Sequence, residues 1–195
     1  MLEGMVDKYI VVLISKETIS AENKDAYKYH MLCFLESFIV IASMLLIGFF
    51  FKEFVNVCIF IICFFSIRNR AGGFHLNTFW KCFAGTICLE CIIILLVRFV
   101  SNIAYVIDFL ALVSFLVMMI VGALNHPNMD YSREEYIEVK RISRIVTCIV
   151  YFMIVFLKLL CASEKTILFM EYAIILSAIL MVLGCITKQH KCCDS

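Results

Sequence analysis

The sequence predicts an all-α, polytopic membrane protein with six transmembrane helices and an N-terminal amphipathic helix at the interface. Apolar residues make up 64% of the 195 positions and charged residues 17%, whereas soluble domains have about half and about a quarter. A soluble protein cannot bury that much apolar surface, so most of it must face lipid. The net charge of +1 predicts no bulk attraction to nucleic acid.

Six apolar runs are the candidate spans. A helix needs about 20 residues to cross about 30 Å of hydrocarbon, and the first, fourth and sixth runs reach that length. The third and fifth are slightly short. The second is clearly short, so it either crosses with little tilt or is re-entrant. The runs cover residues 31–51, 54–67, 82–97, 103–124, 145–160 and 166–186.

The number of basic residues alternates along the segments that connect these runs. From the N-terminal segment to the tail, the counts of Lys and Arg are 4, 1, 3, 1, 4, 2 and 2. The positive-inside rule gives this alternation for six spans with both termini in the cytoplasm. The sequence therefore predicts a multi-pass membrane protein, with the loop between the second and third spans also cytoplasmic.

Two polar segments flank the spans. Residues 1–29 mix charges with modest apolar clusters, which is not the pattern of a cleavable signal peptide, and Val6–Ile19 has the rough helical spacing of an amphipathic interfacial helix. A terminal helix lying free in the cytosol is the alternative. In the cytoplasmic loop 125–144, Ser132 and Glu135 have the spacing of a capping box. We expect a short charged helix there, running into the fifth span.

The cysteines divide into two groups. Eight of the eleven lie in or beside apolar runs, where cysteine packs as a small hydrophobe. Cys82, Cys192 and Cys193 lie in polar flanks. We interpret the two tail cysteines as idle thiols, with reversible acylation as the alternative.

The densest polar cluster between spans is the loop from Arg68 to Cys82, which also contains Arg70 and Lys81. Its Gly72-Gly73 pair permits a turn with positive φ and a close approach of another chain segment. Such a pair also permits a run of amides that binds a carboxylate or an oxyanion.

His75 and Cys82 form the candidate catalytic pair. The thiolate is the nucleophilic form of cysteine, and a neighbouring imidazole or a helix N-terminus favours it. Seven residues of continuous helix rise about 10.5 Å, too far for a hydrogen bond of about 3 Å. The loop must therefore fold His75 back, or the helix must break between the two. Spacing alone does not distinguish this pair from two packed side chains, and no second pair at ligand spacing indicates a zinc site.

At these residues the sequence resembles the accessory gene regulator protein B (AgrB) family. The family signature is an Arg-rich stretch, a small-Gly-Gly-aromatic-His run and a Cys about seven residues later. Here it is Arg68 and Arg70, then Ala71-Gly72-Gly73-Phe74-His75, then Cys82. The likeness extends over the whole chain, although the segment Asn125–Asn128 matches only loosely and no third catalytic residue is apparent.

The resemblance implies a membrane cysteine endopeptidase that processes a quorum-sensing propeptide (AgrD-like) and acts without a cofactor. Cys82 would attack a carbonyl near the C-terminal region of the propeptide, with His75 as general base and then general acid. The resulting thioester would be displaced by an internal Cys or Ser, which closes a thiolactone or lactone. The resemblance also implies a homodimer.

Several charged residues are candidates for supporting roles. Arg68, Arg70 and Lys81 are predicted to bind the acidic tail of the propeptide, or else to anchor the loop on the cytoplasmic side. Glu36 lies near the cytoplasmic end of the first span, within possible reach of His75 or an arginine. Glu90 lies inside the third span, where an ionisable group is costly and often functional.

Two other classes of function compete with the peptidase. A small transporter or channel subunit would need polar side chains lining several spans near the midplane, and the spans here are almost wholly apolar. A non-catalytic membrane partner of a sensor kinase has no positive sign in the sequence.

Overall fold

The computed structural model describes residues 2–15, 24–74, 78–99, 104–125 and 132–187. These residues form seven helices and no strand, which confirms the all-α prediction. Six of the helices are long and apolar enough to cross a membrane. In chain order the helices are α1 (Leu2–Ser15), α2 (Lys24–Phe50), α3 (Phe54–Ala71), α4 (Phe79–Phe99), α5 (Ala104–Val121), α6 (Arg133–Leu159) and α7 (Glu164–Ile186).

The chain divides into two compact units, residues 1–44 and 45–195. In the first unit α1 buries Val6 and Ile10, which are one helical turn apart and therefore share a face. An ion pair of 2.7 Å joins Asp7 of α1 to Lys28 of α2. The predicted N-terminal helix is thus present over Leu2–Ser15, and the rest of its predicted range lies outside the described residues.

Helix α7 forms the core of the second unit. About two-thirds of its apolar window is buried (67%), whereas the other spans bury 11–39% of theirs. Every residue from Ile167 to Ile174 is buried, as is typical of a helix that is apolar on all sides. Helices α3, α4, α5 and α6 all pack against it. The position of α7 therefore determines where the ends of the other helices meet.

Several helices are longer than the spans that the sequence predicts, most clearly α3, α4 and α6. Helix α3 continues past residue 67 to Ala71 and has 18 residues, so it is long enough to cross. Helix α6 begins at Arg133 and runs without interruption through the expected cytoplasmic helix into the fifth span. Its predicted capping box is present, with Ser132 Oγ accepting from the Glu135 amide at 3.3 Å and Glu135 Oε2 accepting from the Ser132 amide at 2.9 Å.

Polar contacts tie the α2–α3 connection to the start of α7. Lys165 donates to Glu53 Oε1 at 3.1 Å, Asn56 donates to Glu53 Oε2 at 2.7 Å, and Thr166 donates to Asn56 at 2.9 Å. Glu53 is buried, and both of its oxygens are paired. The end of the second unit that contains Glu53 and Lys165 is hereafter called the distal end.

One charged cluster lies among α5, α6 and α7. The Lys158 ammonium is 2.5 Å from both Asp108 Oδ1 and Glu171 Oε1. Glu171 is buried, whereas Asp108 and Lys158 are partly exposed. A buried carboxylate is costly unless it is paired, so Lys158 is what allows Glu171 to lie in the core helix.

Gly184 of α7 lies where another chain segment approaches closely. A Cβ atom at this position would be 3.0 Å from Gly73 C, 3.0 Å from Phe74 N and 2.7 Å from Leu124 Cδ1. Two of these atoms are backbone atoms that cannot turn away. Only glycine therefore lets residues 73–74 lie against α7.

We expect Gly184→Ala to lower the free energy of unfolding by about 1–3 kcal/mol, the usual cost of overpacking. The matched control is Gly4→Ala, because Gly4 is also helical and has nothing within 4 Å of its would-be Cβ. That change should be neutral or stabilise by up to about 1 kcal/mol. Unfolding in mixed detergent micelles measures both, and equal stability of the two variants would contradict the close approach at Gly184.

Candidate active site

The candidate site is built on the connection between α3 and α4. Helix α3 ends when Gly72 turns the chain with φ +69°, and Gly73 follows with φ +132°. Both angles lie in the region that side chains other than glycine rarely adopt. The Gly72 amide donates to Arg68 O at 3.1 Å and so closes the last turn of the helix. The predicted positive-φ turn is therefore confirmed at both glycines.

The guanidinium of Arg68 holds this turn in place. Its two terminal nitrogens donate to the carbonyl oxygens of Gly72 and Phe74. Arg68 is half-buried on the last turn of α3. A planar guanidinium suits this task because it presents several donors in a rigid fork, whereas an ammonium is a point charge. The residues of the turn, Gly72–Phe74, are hereafter called the glycine turn.

Two segments distant in sequence support the glycine turn. The Phe74 amide donates to Leu180 O of α7 at 2.8 Å, and the Leu124 amide donates to Ala71 O at 2.9 Å. A Cβ on Gly72 would be only 3.0 Å from Leu124 O. The turn is therefore confined between α7 and the chain that follows α5.

Helix α6 in turn fixes the segment after α5. Ser143 donates to Gly122 O at 2.7 Å, Tyr136 donates to Ala123 O at 2.9 Å, and Arg144 donates to Ile120 O at 3.2 Å. These bonds satisfy backbone carbonyls that the end of α5 leaves without helical partners. The support of the glycine turn thus extends through Leu124 to the first turns of α6.

Cys82 lies at the N-terminal end of α4. Its amide donates to Thr78 O at 3.1 Å, and Thr78 itself lies outside the helix. The positive end of the helix dipole is at this terminus. The residue is half-buried, and the guanidinium of Arg68 is close enough to interact electrostatically with it. A helix N-terminus and a nearby cation are the surroundings in which reactive cysteines occur.

Aromatic rings flank Cys82 on the same turns of α4. The Phe79 and Trp80 ring centroids are 5.2 Å apart, and Phe83 is 5.9 Å from Phe79 and 6.1 Å from Trp80. Trp80 is exposed. Trp is enriched at the membrane–water interface, and an exposed Trp80 is consistent with the start of α4 lying at that depth.

The structure describes most of the predicted site residues but not the proposed base. His75 lies outside the described residues, so its pairing with Cys82 stays a prediction. Helix α4 begins at Phe79, and Thr78 lies outside it. Arg70 and Lys81 are exposed at the two ends of the connection. Glu36 lies on α2 in the first unit and is half-buried, and its role also stays a prediction.

Two predicted roles stay predictions at the glycine turn. The Gly72 and Phe74 amides donate to Arg68 O and Leu180 O, so these two amides are occupied by the protein itself. Arg68, predicted to bind the acidic tail of a substrate, uses both terminal nitrogens on backbone carbonyls, and each nitrogen has a second N–H. Arg70 and Lys81 remain the exposed cations of this connection. The loop predicted over 68–82 is also shorter, because Arg68 belongs to α3 and Cys82 to α4.

Leu124, Leu180 and Gly184 were not identified from the sequence, although they shape the site. Leu124 and Leu180 contribute through backbone groups. Almost every residue type has these groups, so the sequence does not indicate the role. Gly184 had a readable signal, since a glycine inside a long apolar helix often marks the close approach of another segment.

Comparison with known proteins identifies the family. The family model for accessory gene regulator B matches residues 7–187, which is nearly the whole chain. The chain belongs to the AgrB family. AgrB proteins act in quorum-sensing peptide processing, and the six apolar helices make this one a multi-pass membrane protein. No curated protein and no solved structure matches the chain significantly.

We expect Arg68→Lys to loosen the glycine turn, because a lysine cannot reproduce the two-nitrogen contact. The loss of one charge-assisted hydrogen bond costs about 1.5–3 kcal/mol, so hydrogen–deuterium exchange at the Phe74 amide should accelerate at least tenfold. Arg70→Lys is the matched control, since Arg70 is exposed on the same helical turn. Equal exchange at Phe74 in both variants would rule out the clamp.

Proposed function

We propose that this protein is a membrane-embedded cysteine endopeptidase that removes the C-terminal tail of a quorum-sensing propeptide and promotes its cyclisation. The observation that carries the proposal is the setting of Cys82, at the start of α4 and within electrostatic range of Arg68. The family match supports the peptide-processing context. His75 follows the clamped glycine turn directly in sequence, which favours it as the base.

The proposed reaction begins with proton transfer from the Cys82 thiol to His75. The thiolate sulfur attacks the scissile carbonyl carbon, and a tetrahedral intermediate forms. As the intermediate collapses, the carbon–nitrogen bond breaks and His75 returns the proton to the leaving amine. The products are an acyl-enzyme thioester on Cys82 and the free tail peptide.

Ring closure uses the energy held in this thioester. An internal Cys or Ser of the peptide gives its proton to His75, attacks the same carbonyl and displaces Cys82 as a thiolate, which then takes the proton from His75. Exchange of one thioester for another is nearly isoenergetic, whereas direct condensation in water is unfavourable. Exclusion of water beside the membrane favours this attack over hydrolysis.

The remaining parts of the proposal concern partners and location. Arg70 and Lys81 bind the acidic tail through their exposed cationic groups. Both termini and the α3–α4 connection face the cytoplasm, as the basic residues of the connecting segments predict. A homodimer, implied by the family resemblance, is part of the proposal and is tested by cross-linking in membranes.

Co-expression with the cognate propeptide tests the mechanism. We expect Cys82→Ala and His75→Ala each to abolish tail removal, a loss of at least about a thousandfold for a catalytic nucleophile or base. Cys88→Ala is the matched control, since Cys88 is an exposed thiol on the same helix and should leave cleavage unchanged. Mass spectrometry of the peptide measures all three.

Full tail removal by either catalytic variant would exclude the peptidase mechanism and favour the transporter or partner-subunit alternative. The wild-type enzyme should also yield a peptide adduct that hydroxylamine releases, as a thioester requires. Mainly linear product from the purified enzyme would contradict the cyclisation step while leaving the cleavage step intact.

Labelling with an impermeant maleimide tests the orientation. Cys161 is exposed in the turn between α6 and α7, near the distal end. In a variant that retains Cys161 as its single cysteine, this thiol should react in intact cells. Thr78→Cys in a cysteine-free background should react only after permeabilisation, because Thr78 belongs to the connection predicted to be cytoplasmic. The reverse pattern would overturn the orientation.

A further inference from the structure

Glu90 is a buried carboxyl group with no partner among the described residues. It is 2% exposed, and neither Oε1 nor Oε2 has a hydrogen bond within that part of the chain. It lies on the buried face of α4 with Ile93, Ile94 and Val97. Buried polar groups in folded proteins are nearly always paired, so an unpartnered carboxyl group at this position points to a ligand that supplies the missing donor.

The other two buried carboxylates in the described part of the chain show how the protein normally treats such groups. Glu53 has Asn56 and Lys165 on its two oxygens. Glu171 has Lys158 on one oxygen. In each case a lysine supplies a donor and a positive charge. Among the described residues, none provides Glu90 with the cation that the other two carboxylates have.

Glu90 lies on the same helix as Cys82, the proposed nucleophile. It follows Cys82 by eight residues on α4, which corresponds to about 12 Å along the helix and about 80° around it. Side chains of a helix lean towards its N-terminus, so the carboxyl group extends back towards Cys82. An extended peptide spans this distance in about three to four residues at about 3.3 Å each, or in about two when a long side chain covers the rest.

Charge favours one direction for such a peptide. Arg70 and Lys81 are exposed beside the start of α4 and attract an acidic leaving segment. Glu90, deeper on the same helix, takes the opposite sign when it is ionised, and a neighbouring cationic side chain favours that form. These charges favour a peptide whose acyl side runs along α4 towards Glu90.

We propose that Glu90 is a specificity-determining residue that binds the cationic side chain of a Lys or Arg in the substrate peptide. That residue lies two to four positions to the acyl side of the scissile carbonyl. A lysine ammonium or arginine guanidinium gives the carboxylate both a hydrogen-bond donor and a compensating charge in a medium of low dielectric constant. The inference rests on the proposed peptidase function.

The test compares propeptides that differ at one position. One has Lys and the other Leu at the second, third or fourth residue before the scissile bond, and acylation of Cys82 is followed with the full-length enzyme in liposomes. We expect wild type to prefer Lys by about tenfold or more in kcat/KM at one of these positions, the value of one charge-assisted hydrogen bond. If wild type shows no Lys preference at any of the three positions, the inference is wrong. This outcome uses the wild-type enzyme alone, so it does not depend on whether a variant folds.

Variants then test whether Glu90 causes the Lys preference. Glu90→Gln keeps the shape and removes the charge, so the Lys preference should fall to within about twofold, mainly through KM. Glu171→Gln is the matched control, since it changes a buried glutamate that already has a lysine partner, and should leave the preference unchanged. A Lys preference that survives in Glu90→Gln overturns the assignment.

Two further readouts distinguish substrate binding from a purely structural role of Glu90. Glu90→Leu should raise the thermal midpoint, because it removes an unpaired polar group, and should lose the preference for the Lys peptide. A lower midpoint with an unchanged peptide preference would mean that Glu90 has a structural role only. If wild type forms no thioester with any peptide, the proposed function fails; if the thioester forms equally with Lys and Leu peptides, only the present inference fails.

Discussion

The contact of the Arg68 guanidinium with the carbonyls of Gly72 and Phe74 is the interaction on which the site depends. It fixes a turn whose two glycines have positive φ and would otherwise have many accessible conformations. The guanidinium also interacts electrostatically with Cys82. One side chain thus shapes the turn and contributes a positive charge to the region of the thiol, and the pair of donors explains why arginine suits this position better than lysine.

Helix α7 provides the surface against which this turn packs. It is apolar on all sides and buried over most of its length, and α3, α4, α5 and α6 all pack against it. The Leu180 carbonyl oxygen accepts a hydrogen bond from the Phe74 amide, and Gly184 leaves space for residues 73–74. The site consequently joins the end of α3, the chain after α5 and the last turns of α7, which are separated by about fifty residues or more in sequence.

The buried carboxyl groups of the described residues form two classes. Glu53 and Glu171 have lysine partners and join helices at or near the distal end. Glu90 has no such partner in the same part of the chain and lies on α4, as Cys82 does. Membranes make unpaired ionisable groups costly, so a carboxyl group without a partner is better explained by something it binds than by packing. The paired clusters are adequately explained as helix-joining contacts.

The sequence by itself determined the membrane class, the number of spans, the capping box at Ser132 and the positive-φ turn at Gly72-Gly73. Each of these depends on composition or on residues within a few positions of one another, so local rules suffice. Only the tertiary structure decided that Arg68 clamps the turn, that α6 is continuous from Arg133, and that Leu180 and Gly184 support the site. Hydrogen bonds to backbone carbonyls and close approaches between distant segments depend on how helices pack, and residue type alone does not encode which carbonyl a side chain will meet. The segment from Arg68 to Cys82 was therefore readable as a candidate site, but the contact of Arg68 with the turn was not.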